Sequence, residues 1–244
     1  KKIWAEAKKT GRDKKLKLGI TAARGLLKVG VDKRRDLFAE VLNSFGGRLE
    51  KIICGGAALN PRMIDFFETI GISIYEGFGI TECSPLVAVT PYYARKYGSV
   101  GPAVPCCQIR IDDHGVNDKG YPEGEIQVKG DNVMLGYYKN EEATNEVLVD
   151  GWYHTGDLAW RDEDGFYWYV GRKDDVIKSS GYRIGPFEIE SVIMELPYVL
   201  ECGVSAAPDE VRGQVVKASI VLVKGTEPTP ALVKEIQDYV KTHT

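Results

Sequence analysis

The chain has 244 residues, 43% of them hydrophobic and 27% charged, a composition typical of a globular protein with one or two domains. Its formal net charge of −3 provides no electrostatic basis for binding nucleic acid, and we expect no such partner. No stretch approaches the roughly 18 consecutive apolar residues that a membrane-spanning helix requires.

Residues 1–45 predict helices, with breaks at Gly11 and Gly30. Most of the charged side chains among the first 35 residues are basic. The apolar residues between them follow the spacing of a helix only in part. Basic amphipathic helices bind anionic lipid, so peripheral membrane association of this segment is one interpretation. The solvated surface of a larger domain is the other, and we favour it.

An α/β unit follows. Residues 49–54 form a short apolar run that predicts a strand, and Asn60-Pro61 is a helix start signal for a helix ending at residue 69. Residues 72–75 predict the next strand. Because ligands of such sheets bind beyond the carboxyl ends of the strands, the GGAAL and EGFGITE segments are candidate ligand loops.

From about residue 99 to residue 172 the pattern changes to strands separated by turns. The runs CQIRI, GEIQVKG and FYWYVG alternate with the turn sequences DDHG, KGYPEG and DEDG, which predicts a small antiparallel barrel or sheet. The remaining residues predict a helix, two strands and a second helix, a compact α+β unit.

The five cysteines form no pattern that would bind a metal. They have no CxxC spacing, and the three histidines are scattered along the chain. An odd number of cysteines in a chain without a signal peptide is typical of reduced thiols, so we expect a cytoplasmic protein.

The segment GWYHTGDLAWRDEDGFYWYVGRKDDVIKSSGYRIGPFEIE, residues 151–190, is the most informative of the chain. A Gly-Asp turn at Asp157 can offer one carboxylate to two vicinal hydroxyls, as on a ribose. Arg172, at the end of a strand-like run, can add a fork of donors for hydroxyl or phosphate oxygens. Each residue taken alone has an alternative as an ordinary turn residue, but their order favours a nucleotide site.

This segment, together with IICGGAALNPRMIDFF and IYEGFGITECSPLVAVTP, resembles the adenylate-forming (AMP-binding) superfamily, which includes acyl-CoA synthetases, adenylation domains of peptide synthetases and luciferases. The resemblance implies a multidomain fold of the α/β and α+β classes, truncated at both ends. Residues 1–95 would be part of a large N-terminal α/β AMP-binding domain, and residues 96–172 a small antiparallel β-barrel-like subdomain. Residues 173–244 would be a mobile and incomplete α+β C-terminal domain.

The resemblance also implies an activity of the full-length protein. A carboxylic acid, expected to be a fatty acid, would react with ATP in the presence of Mg²⁺ to give an acyl-adenylate and pyrophosphate, and coenzyme A would then displace AMP. The family's phosphate loop and its late lysine segment are not found in this sequence, so we expect the chain alone to be inactive. Two alternatives stay open: an adenylation domain that loads a carrier protein, and a module that only binds nucleotide or coenzyme A.

Features of long-chain and medium-chain ligases are mixed in the sequence. The FGITECSPLVAVTP region and the basic leading helices resemble long-chain fatty acyl-CoA ligases, whereas SSGYRIGPFEIES resembles medium-chain and acetyl-type synthetases. The acyl length and the oligomeric state therefore stay open.

The matched motifs assign roles to individual residues. Thr81 would contact phosphate, Glu82 would hold Mg²⁺, and Arg183 would complete the catalytic set. Asp174 would be the hinge on which the C-terminal domain turns. The expected nucleotide and coenzyme A contacts are Gly56, Ala57, Ala58, Glu76, Gly77, Phe78, Gly79, Thr81, Asp157, Arg172, Ser180 and Gly181.

Phe78 has two interpretations. It would stack near the adenine, and its alternative is packing in the core.

Overall fold

The computed structural model describes residues 2–56 and 59–243, and these contain three sheets. The first sheet has the order β1-β2-β3, in which β1 and β2 are parallel and β3 is antiparallel to β2. The strands of this part are β1 (Lys51–Cys54), β2 (Ser73–Gly79) and β3 (Leu86–Val89). Its helices are α1 (Lys2–Lys9), α2 (Asp13–Lys28), α3 (Arg34–Leu37), α4 (Ala39–Asn43) and α5 (Pro61–Thr69).

The helix start predicted at Asn60-Pro61 is confirmed. The Asn60 side chain accepts a hydrogen bond of 2.9 Å from the backbone N–H of Arg62, and Pro61 occupies the first turn of α5. Leu16 and Ala23 of α2 pack with Ile64 of α5 in a buried apolar cluster. One face of α2 is therefore covered by the protein itself, which favours the solvated-surface interpretation of the basic segment, although Leu18 of α2 is exposed.

The EGFG segment is not a loop, contrary to the sequence-based prediction. Glu76–Gly79 forms the end of β2, where Phe78 pairs with Ala88 of β3. At Gly79 an added Cβ would lie 2.6 Å from the carbonyl oxygen of Pro85, so only glycine permits this close approach. The partner of Phe78 in β3 lies ten residues further along the chain. The glycines of EGFG are typical of a loop, so the local sequence did not predict a strand there.

The second sheet has the order β4-β5-β7-β6, with β8 also paired to β7, and it agrees with the predicted small antiparallel barrel or sheet. A buried cluster joins it to the first sheet, since Val87 packs with Ile126 and Val128. The elements are β4 (Cys107–Val116), β5 (Pro122–Gly130), α6 (Glu141–Val147), β6 (Leu148–Val149), β7 (Trp152–Arg161) and β8 (Tyr167–Arg172).

The predicted Gly-Asp turn is also wrong. Gly156 and Asp157 lie inside β7, where the pairing with β5 shifts register between Glu125 and Gln127. An extra stretch of chain on one strand of an antiparallel pair is a β-bulge, and it redirects the side chains there.

The third sheet has the order β10-β9-β12-β11 and carries two helices, as expected for an α+β unit. Ile189 and Ile193 pack with Ile236 in its core. The elements are β9 (Ile177–Ser179), β10 (Tyr182–Ile184), α7 (Pro186–Ile193), β11 (Val199–Asp209), β12 (Gly213–Leu222) and α8 (Pro230–His243). Glu195, which follows α7, contacts the first part of the chain through an ion pair of 2.6 Å with Arg62.

No helix among residues 2–56 and 59–243 combines the length and the apolar character needed to cross a membrane.

Candidate functional site

A cavity of about 260 Å³ lies where the end of β2 meets β7 and β8. Most of the predicted nucleotide contacts line this one space, although they come from segments up to 116 residues apart in the chain. The lining residues are Cys54, Gly56, Glu76, Gly77, Phe78, Gly79, Ile80, Gly98, Val100, Asp157, Tyr169 and Arg172.

Asp157 is a buried carboxylate at this cavity, with 5% of its surface exposed. Burial raises its pKa, while a hydrogen bond from Tyr169 and the charge of Arg172 act in the opposite direction. Tyr169 supplies the one hydrogen bond to this side chain within the described residues, at 3.1 Å to Oδ1. A carboxylate can accept about four hydrogen bonds, so Asp157 retains the capacity to accept two hydroxyls of a ligand.

Arg172 is the direct cross-strand partner of Asp157. Its Nε donates to Asp174 Oδ1 at 3.0 Å, and this hydrogen bond raises the pKa of Arg172 and lowers that of Asp174. The guanidinium side chain is half exposed, at 52%, so its remaining N–H donors can reach a ligand in the cavity.

Phe78 packs in the core, and its stacking near an adenine stays a prediction. It is 8% exposed and belongs to the buried cluster shared by the first two sheets, and it also lines the cavity. Its ring stacks on that of Tyr169, with centroids 5.9 Å apart and an angle of 28° between the planes. Tyr169 was not among the predicted residues. The alternation along FYWYVG, in which Tyr167 and Tyr169 share one face of the strand, was the signal that could have identified it.

Glu76 is a second buried carboxylate at the cavity. Its Oε2 accepts a hydrogen bond of 2.8 Å from the backbone N–H of Gly98. Burial raises the pKa of Glu76, and hydrogen bonds from the backbones of Gly98 and Leu59 lower it less. The side chain therefore adds a second carboxylate, besides Asp157, to the lining of the cavity.

Thr81 and Glu82 follow the cavity residue Ile80 in a short 3-10 turn and do not line the cavity. Thr81 is exposed. Glu82 Oε1 accepts a hydrogen bond of 2.9 Å from the hydroxyl of Tyr137, which leaves the second carboxylate oxygen for a cation. The predicted contacts Ala57 and Ala58 lie outside the described residues.

The remaining predicted residues belong to the third sheet. Arg183 lines a second cavity of about 240 Å³ together with Leu158, Lys173, Val176 and Lys178. Asp157 and Leu158 are neighbours in β7 and therefore face opposite sides of the sheet, which separates the two cavities.

Ser180 and Gly181 form the turn between β9 and β10 and do not line either cavity. Both have positive φ, 50° and 88°. The backbone of this turn requires glycine or a residue that tolerates the left-handed region, whatever else contacts it.

Metal ligands do not cluster in the described part of the chain, where no group of three or more His, Cys, Asp or Glu side chains could hold an ion. A divalent cation that bridges phosphates needs only one or two protein carboxylates, and Glu82 fits that requirement. The lining of the first cavity combines an aromatic wall, two buried carboxylates that can accept hydrogen bonds and one guanidinium that can donate them.

Comparison with known proteins identifies the family. A family model described as AMP-binding enzyme matches residues 7–138, and one described as AMP-binding enzyme C-terminal domain matches residues 188–244. The chain belongs to the AMP-binding enzyme family. The resemblance drawn from the motifs is thereby confirmed.

Curated relatives of this AMP-binding enzyme are CoA ligases. The 4-hydroxybutyrate–CoA ligase 1 of Metallosphaera sedula is 41% identical over 201 residues, which cover 80% of this chain and 36% of that protein. The long-chain-fatty-acid–CoA ligase of Yersinia pestis is 45% identical over 171 residues, which cover 68% of this chain and 30% of that protein. The chain therefore spans about a third of the length of these two relatives.

The fold of this AMP-binding enzyme is similar to that of o-succinylbenzoate CoA synthetase from Bacillus subtilis, solved in complex with its acyl-adenylate intermediate. The TM-score is 0.72 at 31% identity, over 86% of this chain and 43% of the other. The same synthetase in complex with ATP and magnesium ion gives a TM-score of 0.70. The predicted fold class is confirmed.

Proposed function

We propose that the full-length protein is an acyl-CoA synthetase that activates a fatty acid with ATP and transfers the acyl group to coenzyme A. The products would be acyl-CoA, AMP and pyrophosphate. The observation that carries this proposal is the convergence of Asp157, Arg172 and Phe78 on one cavity. The names of the relatives, which are CoA ligases, support the reaction class.

Asp157 would accept hydrogen bonds from both ribose hydroxyls of the nucleotide. Hydrogen bonds to a charged group contribute about 1.5–3 kcal/mol, more than neutral ones, and the buried setting excludes competing water. Arg172 stands opposite on β8 and would donate to a ribose or phosphate oxygen.

The adenine would lie against the Phe78 side of the cavity. Phe78 and Tyr169 provide the aromatic wall, and the Glu76 carboxylate provides a polar edge that can accept from an amino group. Gly56 adds no side-chain bulk, and nothing lies within 4 Å of an added Cβ there, so a flat base can approach the backbone at that position.

Thr81 and Glu82 would bind the phosphates, Thr81 directly and Glu82 through Mg²⁺. The Thr81 hydroxyl can donate to a phosphate oxygen, and Glu82 would hold Mg²⁺ through its free carboxylate oxygen. When bound, the cation neutralises charge on the phosphates. No catalytic base is required, because the carboxylic acid substrate is already ionised near neutral pH.

Residues of the third sheet would contact coenzyme A. We propose Ser180, Gly181 and Arg183 as residues that face coenzyme A or the phosphates after a rotation at Asp174. Its exposed position in the turn after β8 supports a hinge there. This requires that residues 173–244 move as a domain against residues 1–95 and 96–172, the division expected from the sequence.

Two alternatives predict different products. An adenylation domain would transfer the acyl group to a carrier protein and would give no acyl-CoA. A module that only binds nucleotide or coenzyme A would release no pyrophosphate.

The test is pyrophosphate release by the full-length protein across straight-chain acids from C2 to C16, with and without coenzyme A. We expect pyrophosphate release with at least one fatty acid, and formation of acyl-CoA only when coenzyme A is added.

Asp157→Ala should raise the KM for ATP about 10- to 100-fold, the equivalent of about 1.5–3 kcal/mol. Glu163→Ala, an exposed carboxylate in the turn between β7 and β8, is the matched control and should leave this KM unchanged. Absence of pyrophosphate release with every acid would refute the proposal.

A further inference from the structure

Glu125 on β5 is a buried carboxylate that is not among the predicted site residues. It is 6% exposed. Its Oε1 accepts a hydrogen bond of 2.9 Å from the backbone N–H of Gly156, and its Oε2 accepts one of 3.2 Å from Lys173 Nζ. His154 Nδ1 lies 3.9 Å from the same Oε2. One side chain thus contacts both β7 and the segment that follows β8.

The two contacts adjoin the proposed ribose ligands. Gly156 directly precedes Asp157, and Lys173 directly follows Arg172. The backbone N–H of Lys173 donates to the carbonyl oxygen of Gly156 at 2.8 Å, which joins the two segments to each other as well. Glu125 therefore anchors both chain segments from which the ribose would be held.

The bulge in β7 interrupts the backbone pairing with β5, so side chains are needed to hold the chain in place there. Glu125 pairs with Leu158 and Gln127 pairs with His154, so residues 155–157 face a single residue of β5 and lack a regular ladder. Side chains replace that ladder: Thr155 Oγ1 donates to the carbonyl oxygen of Ile126 at 2.8 Å and accepts from the N–H of Asp157 at 3.0 Å. Gly156, with φ at 71°, is held by Glu125.

The charge of Glu125 affects both Asp157 and Lys173. The negative charge of Glu125 lies close enough to Asp157 to disfavour ionisation of that carboxylate. A neutral side chain of similar shape would avoid this cost, yet a carboxylate is present and is paired with Lys173. The ion pair with Lys173 opposes this cost, and the hydrogen bond from the N–H of Gly156 is the contact that a neutral amide oxygen could also accept.

We propose that Glu125 is a positioning residue for the nucleotide: it holds the bulge at Gly156 so that Asp157 reaches the two ribose hydroxyls. This inference rests on the proposed ribose contact of Asp157. It predicts that loss of Glu125 weakens recognition of the ribose hydroxyls in particular, and not nucleotide binding in general.

The test measures binding of AMP and of 2′,3′-dideoxy-AMP to the full-length protein by calorimetry. The unaltered protein should prefer AMP about 10- to 100-fold, because the dideoxy ligand lacks both hydroxyls. Glu125→Ala should reduce that preference at least tenfold and change dideoxy-AMP binding less than about threefold. Glu125→Gln keeps an oxygen at the same reach for Gly156 and should retain the preference within about threefold.

Two further variants make the result decisive. Glu125→Asp keeps the charge but is one methylene too short to reach Gly156, so it should lose most of the preference even where the alanine variant does not fold. Glu123→Gln alters a carboxylate of the same strand that lies 3.8 Å from Arg183, and it should leave the preference intact.

The outcomes separate this inference from the proposed function. Equal weakening of both ligands in Glu125→Ala and Glu125→Asp, or an unchanged preference in them, overturns the positioning role alone. An unaltered protein that binds AMP and dideoxy-AMP equally overturns the ribose contact of Asp157, and the positioning role with it.

Discussion

The hydroxyl of Tyr169 donates a hydrogen bond of 3.1 Å to Asp157 Oδ1. The ring of the same tyrosine stacks on Phe78. One side chain therefore links the carboxylate proposed for the ribose to the aromatic wall proposed for the base, and it fixes the distance between them before any ligand binds. Preorganisation of this kind reduces the conformational entropy that is lost on binding.

Tyr169→Phe tests this link. The variant keeps the stacked ring and removes the donor to Asp157, so we expect the KM for ATP to rise about 3- to 10-fold, the equivalent of about 1 kcal/mol for one hydrogen bond. The pKa of Asp157 should rise further, because the hydrogen bond from Tyr169 lowers it. Tyr167→Phe is the matched control on the same strand, since its hydroxyl donates to the carbonyl oxygen of Ile109 at 3.0 Å and not to Asp157. An equal rise in KM in both variants would argue against the link.

Asp157→Asn should stabilise the ligand-free protein while it weakens nucleotide binding. Burial holds the pKa of Asp157 above its ordinary value of 3.8, so its ionised form destabilises the folded state. The folded protein consequently loses stability as the pH rises from 3.8 through the raised pKa. Asparagine has no charge at any pH, and the gain in Tm should be near zero at acidic pH and reach about 2–4 °C at neutral pH.

Thermal unfolding of both proteins between about pH 4 and pH 8 measures this difference. Glu76 also has a raised pKa, but it is present in both proteins and its contribution cancels. A difference in Tm that is constant with pH would show that burial of the Asp157 charge is not the cause.

Substitutions at Gly181 separate a backbone requirement from a ligand requirement. Its φ of 88° disfavours a side chain, yet nothing lies within 4 Å of an added Cβ. Gly181→Ala should therefore cost about 1–2 kcal/mol of stability, and Gly181→Asn less, because asparagine tolerates this region. Urea unfolding measures both.

The half-reactions then test the passage proposed for coenzyme A. Gly181→Leu should spare pyrophosphate exchange and block thioester formation. If coenzyme A requires the absence of a side chain, Gly181→Asn should also block thioester formation despite its better stability. Normal thioester formation in the asparagine variant would reduce the role of Gly181 to the turn.

Asp174→Pro tests the proposed hinge. Asp174 lies in a turn closed by a hydrogen bond of 3.1 Å from the N–H of Asp175 to the carbonyl oxygen of Arg172. Proline fixes φ near −65°, and we expect it to change the ratio of the two half-reaction rates by about tenfold or more. Asp174→Ala removes only the exposed pair with Arg172 and should leave the ratio unchanged.

Disruption of the turn needs its own control. Val176→Pro removes another N–H of this turn, which donates to the carbonyl oxygen of Arg172 at 3.0 Å, and it does not restrict the backbone of Asp174. If it alters the half-reactions in the same way as Asp174→Pro, the effect arises from loss of the turn and the hinge is refuted.

The family and the central carboxylate were recognisable from the sequence because they depend on short-range spacing. The order of GWYHTGD, GRKDD and GYRIG lies within forty residues, and Asp157 and Arg172 could be named from it. The helix start at Asn60 was also predictable, because capping involves only neighbouring residues.

Other features depend on residues that are distant in the chain. EGFG became a strand because β3 pairs with it, and the apparent turn at Asp157 became a bulge because β5 lies alongside. Tyr169 and Glu125 acquired their partners in the same way, from strands 12 and 31 residues away. Local spacing specifies which residue types are present, whereas the register between strands determines which of them meet, since a shift of one residue turns a side chain to the opposite face.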